Sequence, residues 1–196
     1  HGIGGEIASG ISRARETGVY REGNMFEEYV LQVANSVRPL SLERFFENSS
    51  KHMGESWFDF NKYAELFLAA HKELGHLTAD YFGLRYAAAL ERGLRPEEYY
   101  NDVRRAVKKG GKRFGSWYAY SLPEVLGEGV KADDFMDEML AVYLTGRLRV
   151  LKPYALNAAL MQRMGVETYK FARIAEWAAE EFGKEATSWI VSNIPN

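Results

Sequence analysis

Apolar residues along this chain recur with the spacing of a helix face, not with the alternation of a strand. The clearest run is Phe60, Tyr63, Phe67, Ala70 and Leu74, one helical face over four turns, with Gly75 beyond it as a left-handed stop. Thr78 is placed to cap the next helix, Leu77 and Phe82 are spaced as a hydrophobic staple, and Gly93 ends it. Pro96, followed by Glu97 and Glu98, opens another that closes at Gly110-Gly111. Upstream, Asn24 can cap a helix carrying Phe26, Val30, Val33 and Val37, stopped by Pro39. Ser41 can cap a short one over residues 42–48.

In the second half, Phe135, Met139 and Tyr143 align four apart, as do Met136, Leu140 and Leu144, up to Gly146. Pro153 opens a helix to Met164 that breaks at Gly165. Phe171, Ile174, Ala175, Ala178 and Phe182 share the next face, stopped by Gly183, and a short last helix from Glu185 to Val191 carries Trp189. Residues 112–120 read as extended loop or short strand, Pro123 as a single helical turn, and Gly127-Glu128-Gly129 as a hinge. There is no strand alternation, internal repeat or low-complexity tract. GIGGEI near the start has no preceding strand and lacks the third glycine of a dinucleotide fingerprint.

The pattern predicts an all-α, irregular helical domain of about eight to ten helices, possible as two subdomains. Residues 1–23 are expected as a flexible or loosely docked segment, 24–126 as an N-terminal helical part, and 130–196 as a C-terminal part packed on it. Phe67, Leu74, Phe82, Val103, Leu140, Leu160, Ile174 and Ala178 are the expected core.

Composition trims the alternatives. With 46% hydrophobic residues in 196, the chain can bury a sizeable core. The absence of cysteine excludes disulfides, thiolate metal sites and a cysteine nucleophile. No apolar run is long enough to span a membrane and no secretory signal is legible, so a cytoplasmic location is expected. Glutamine occurs only at Gln32 and Gln162 amid many charges, which leans towards a thermophilic source.

Charge changes the picture most. The whole chain carries −2, yet residues 100–123 hold six cations against Asp102 alone. On a helix Tyr99, Tyr100, Val103, Ala106 and Val107 share one arc, and Arg104, Arg105, Lys108 and Lys109 the opposite one. Lys112, Arg113, Phe114, Trp117 and Tyr118 follow. Cations neutralise phosphates and flat rings stack on bases, so a nucleic-acid-associated protein is one expectation, with DNA and RNA not distinguished. The alternative is a helical scaffold or adaptor meeting an acidic protein partner.

Residues 157–174 place Leu160, Met164, Val166, Phe171 and Ile174 around Gly165. This resembles the hydrophobic template of a helix-turn-helix, which implies a groove-facing role for Thr168, Tyr169, Lys170 and Arg173. Met161 stands where that motif wants a small residue. Leu42, Phe45 and Phe46 look like the aliphatic and paired aromatics of a sliding-clamp-binding peptide, with Pro39 in place of its glutamine. His71 and His76, five apart across Gly75, do not share a helix face, and Asp133 and Asp134 suit a helix start. No metal, cofactor or catalytic constellation is expected.

Overall fold

The computed structural model describes residues 3–17 and 26–194, and among them only helices and turns occur. They are α1 (Ile3–Glu16), α2 (Phe26–Ser36), α3 (Pro39–His52), α4 (Phe60–Glu73), α5 (His76–Glu91), α6 (Pro96–Gly110), α7 (Lys112–Gly127), α8 (Ala132–Arg163) and α9 (Thr168–Asn193). The fold is all-α. Among the described residues no helix is long and apolar enough to cross a membrane. The chain forms two compact units that divide between Tyr100 and Asn101, inside α6 and not at the glycines near residue 128.

In the first unit, α3 and α4 supply an aromatic core. Phe45 stacks on Tyr63 at 5.0 Å, and Phe26 meets Phe60 at 4.6 Å. α1 packs on α3, Ala14 is buried, and Gly10 lies so close to Phe46 that a Cβ there would come within 2.4 Å of the ring. Pro39, expected as the stop of the preceding helix, lies just past the end of α2 at Ser36 and is also the first residue of α3, where its missing N–H costs nothing. Ser41 and Thr78, expected as caps, are buried inside α3 and α5. Asn24 lies outside the described residues.

In the second unit the stretch expected as loop or strand is helix α7. Its buried stripe is Phe114, Tyr118, Ala119, Leu122 and Val125. Gly115 serves a close helix approach: a Cβ there would lie 2.3 Å from Val107 Cγ2 and 3.2 Å from the Val107 nitrogen. Pro123 sits within the helix. α8 and α9 are each broken once, at Arg147 (φ 54°, ψ −156°) and Gly183 (φ 77°, ψ 168°). Their limbs are α8a (residues 132–146), α8b (148–163), α9a (168–182) and α9b (184–193).

These breaks expose an internal repeat, which corrects the reading of a chain without one. Gly75, Gly111, Arg147 and Gly183, all with positive φ, are spaced by 36 residues, and so are Gly93, Gly129 and Gly165. Each period is a helical hairpin: α5–α6, α7–α8a and α8b–α9a. Buried positions recur in the same register. Phe46, Phe82, Tyr118 and Tyr154 form one column, Tyr63, Tyr99, Phe135 and Phe171 a second, and Ala70, Ala106, Val142 and Ala178 a third. The first two columns stack within each hairpin from α5 onward: Phe82 on Tyr99 at 4.9 Å, Tyr118 on Phe135 at 6.0 Å, and Tyr154 on Phe171 at 5.1 Å. Phe135 also stacks on Tyr154 of the following hairpin at 6.3 Å, which carries the aromatic ladder through the second unit. The α3–α4 hairpin keeps the columns but stacks Phe45, one residue earlier, on Tyr63.

Of the eight expected core residues, Phe67, Leu74, Phe82, Val103 and Ala178 are buried and Leu140 is half-buried. Leu160 and Ile174 are each 38% exposed. Their register partners one period earlier are Glu124 and Glu138, so both lie at the border of the apolar stripe.

Candidate binding surface

All the cations singled out in the sequence lie in the second unit, but they do not form one open patch. Arg105 is bound by Asp102 at 2.7 Å and Asp133 at 2.6 Å, and Lys109 by Asp137 at 2.8 Å. These pairs tie α6 to the first turns of α8a, where Asp133 also suits the positive helix end. Arg104 and Lys112 are exposed and not free of partners. Lys108 and Arg113 are exposed and form no ion pair among the described residues.

The expected stacking rings divide the same way. Tyr118 is fully buried, and its hydroxyl donates to the Ala132 carbonyl at 3.1 Å. Burial pushes that phenol well above its usual range, and Asp102 adds to the shift. Phe114 is also buried, so neither ring can receive a base. Trp117 is only half-buried, and Lys152 Nζ lies over it, 5.5 Å from the ring centroid.

Lys152 belongs to a row the sequence reading missed. One period from Arg113 is Arg149, and one further is Glu185. Ser116 maps to Lys152 and Ser188, and Tyr120 to Leu156 and Ser192. The pair Arg149–Glu185 follows this register, and Asn157 Nδ2 donates to the Val191 carbonyl at 3.0 Å between the same two helices. Between α8b and α9b lies an open groove of about 630 Å³, lined by Leu148, Arg149, Lys152, Pro153, Leu156, Asn157, Ser188 and Ser192. The period read from the glycines would have led from Arg113 to Arg149.

Several of these cations sit where helix electrostatics oppose them. α7 opens with Lys112 and Arg113, and α8b follows Arg147 with Leu148 and Arg149; neither first turn holds an acid. A cation beside the positive helix end costs about 0.3–1 kcal/mol. Arg147 adds strain, being the non-glycine residue with positive φ among the described residues, in backbone space that is nearly glycine's alone. Its guanidinium lies 5.8 Å from the Tyr143 ring centroid.

The helix-turn-helix-like stretch is one more hairpin of the register. Thr168 is buried, Lys170 is paired with Glu167 at 2.6 Å, and Arg173 with Glu176 at 3.0 Å. Leu42, Phe45 and Phe46 point into the core of the first unit, so the clamp-peptide-like residues present no surface. His71 and His76 lie on different helices, α4 and α5, and the turn at Gly75 between them brings their Nδ1 atoms to 3.1 Å. Among the described residues no three metal-ligating side chains cluster. Scans against protein families, curated proteins and solved structures find no match to this chain.

Proposed function

We propose that the protein is a helical-repeat adaptor that takes an acidic segment of a partner protein on the basic surface of its second unit. The observation that carries this reading is that Arg113 and Arg149 occupy one register position a period apart, each in a first turn that disfavours a cation, with Lys152 one turn beyond Arg149. Stacked hairpins present such positions as a continuous surface, and a row of cations on it suits carboxylates. With Tyr118 and Phe114 inside the core, the surface offers a protein chain more than it offers bases.

A nucleic-acid-associated role is the second reading. It is favoured by Lys108 and Arg113, which carry no ion pair, and by the half-exposed Trp117. Fluorescence anisotropy at low salt compares a labelled polyglutamate peptide with labelled single-stranded and duplex DNA. The adaptor reading expects the peptide to bind and the oligonucleotides to compete weakly. Tight oligonucleotide binding, with a log–log salt slope of about −0.7 to −0.9 per phosphate contact, would put the second reading first. Binding of neither anion would retire both.

A further inference from the structure

Resting on the adaptor reading, we infer that the groove between α8b and α9b is the seat of the acidic segment, with Glu185 occupying the place of a partner carboxylate. The groove is two-sided in chemistry. Leu148, Pro153 and Leu156 give it an apolar wall, while Arg149 and Lys152 supply the cations. Leu156 is 44% exposed, an apolar side chain the fold does not cover. The occupant that matches is an extended segment with an apolar residue beside acidic ones, the apolar side chain lying on Leu156 and a carboxylate reaching Lys152 or Arg149.

The pair Arg149–Glu185 is what makes the site exchangeable. Its side chains are 61% and 76% exposed, so the contact is weakly held and a partner carboxylate can replace Glu185 at little cost. Lys152, over the Trp117 ring, is held in reach of the same segment without an ion pair of its own.

The test uses the full chain and a labelled peptide in which one leucine is flanked by pairs of glutamates. Glu185→Gln should tighten binding by about twofold, because Arg149 is released. A gain of affinity cannot come from a damaged fold. Arg149→Gln and Lys152→Gln should each weaken binding about threefold. Leu156→Ser should weaken it for the leucine peptide and leave a glycine-substituted peptide unchanged. Peptide binding indifferent to all four changes would overturn the groove while leaving the adaptor reading standing; no peptide binding at all would remove that reading first. Sedimentation of the free protein supplies the remaining outcome: self-association abolished by Leu156→Ser would give the groove to a second copy and overturn the inference.

Discussion

The same step of the register is used in opposite ways in the two units. In the first, Arg44 and Asp80, 36 residues apart, meet at 3.2 Å, and the Asp80 side chain is 9% exposed. His71 Nε2 lies 3.6 Å from the second carboxylate oxygen, with Ser41 beside it. In the second, Arg149 and Glu185, also one period apart, meet in the open. A pair with one buried member is costly to break because that charge loses its partner without gaining water, and here Asp80 is the buried member while Arg44 is 38% exposed; a fully exposed pair is worth almost nothing. The first unit therefore uses the contact to fix α3 against α5. The second leaves its row available.

The largest expected effect lies at the buried end of this comparison. Asp80→Ala should lower unfolding stability by about 2–3 kcal/mol in urea denaturation, since Arg44 loses its acceptor at 3.2 Å and the buried His71 ring loses the carboxylate beside it. Burial raises the Asp80 pKa, but the His71 ring, the Ser41 hydroxyl and the Arg44 charge outweigh it and hold the carboxyl below its usual range. Its contribution is accordingly present above the ordinary carboxyl pKa of about 4 and is lost as pH falls through the lowered folded value. Acid titration of the wild type should show that loss and the alanine variant should lack it. Equal acid sensitivity in both proteins would break the contrast.

Next in size is Gly115→Ala, expected to cost about 1–3 kcal/mol by forcing Val107 away from α7. A neutral result would mean that the close crossing of α6 and α7 is not what the glycine serves. This residue also explains what was legible in the sequence. Helices bounded by Gly75, Gly93, Gly165 and Gly183 were readable because those glycines are turns with positive φ. Gly115 has the same composition signal with a different cause, a missing side chain at a helix contact, and so α7 looked like a loop.

The repeat was in principle legible, since Gly75, Gly111 and Gly183, and Gly93, Gly129 and Gly165, lie at multiples of 36. It was obscured because its columns keep size and burial, not identity: Phe82, Tyr118 and Tyr154 occupy one, and Arg147 interrupts the glycine run. Of the candidate site, Arg113 and Trp117 were found from local charge and aromatic content. Arg149 and Lys152 carry a local charge signal as well, since Arg147, Arg149, Lys152 and Arg163 meet no acid between Glu138 and Glu167, but only the register relates them to Arg113 and Trp117.

Arg147→Gly sharpens the comparison from the open side. Relief of the strained backbone should stabilise the protein by about 1 kcal/mol net of the added freedom of the unfolded chain, read as a higher denaturation midpoint. Destabilisation would indicate that the contact with Tyr143 outweighs the strain. The smallest effect belongs to Glu185→Ala, expected to change stability by less than about 0.5 kcal/mol, against the loss at Asp80. A cost near that of Asp80→Ala would show that the exposed pair is structural and the row is not free for a partner.

Hydrogen–deuterium exchange, with and without a saturating leucine–glutamate peptide, tests the central claim most directly. The account predicts new protection confined to residues 148–157 of α8b and 184–192 of α9b, with a lesser change around Trp117, and none around Arg44 and Asp80. Protection centred on α3 and α5, or on α6 alone, would contradict it.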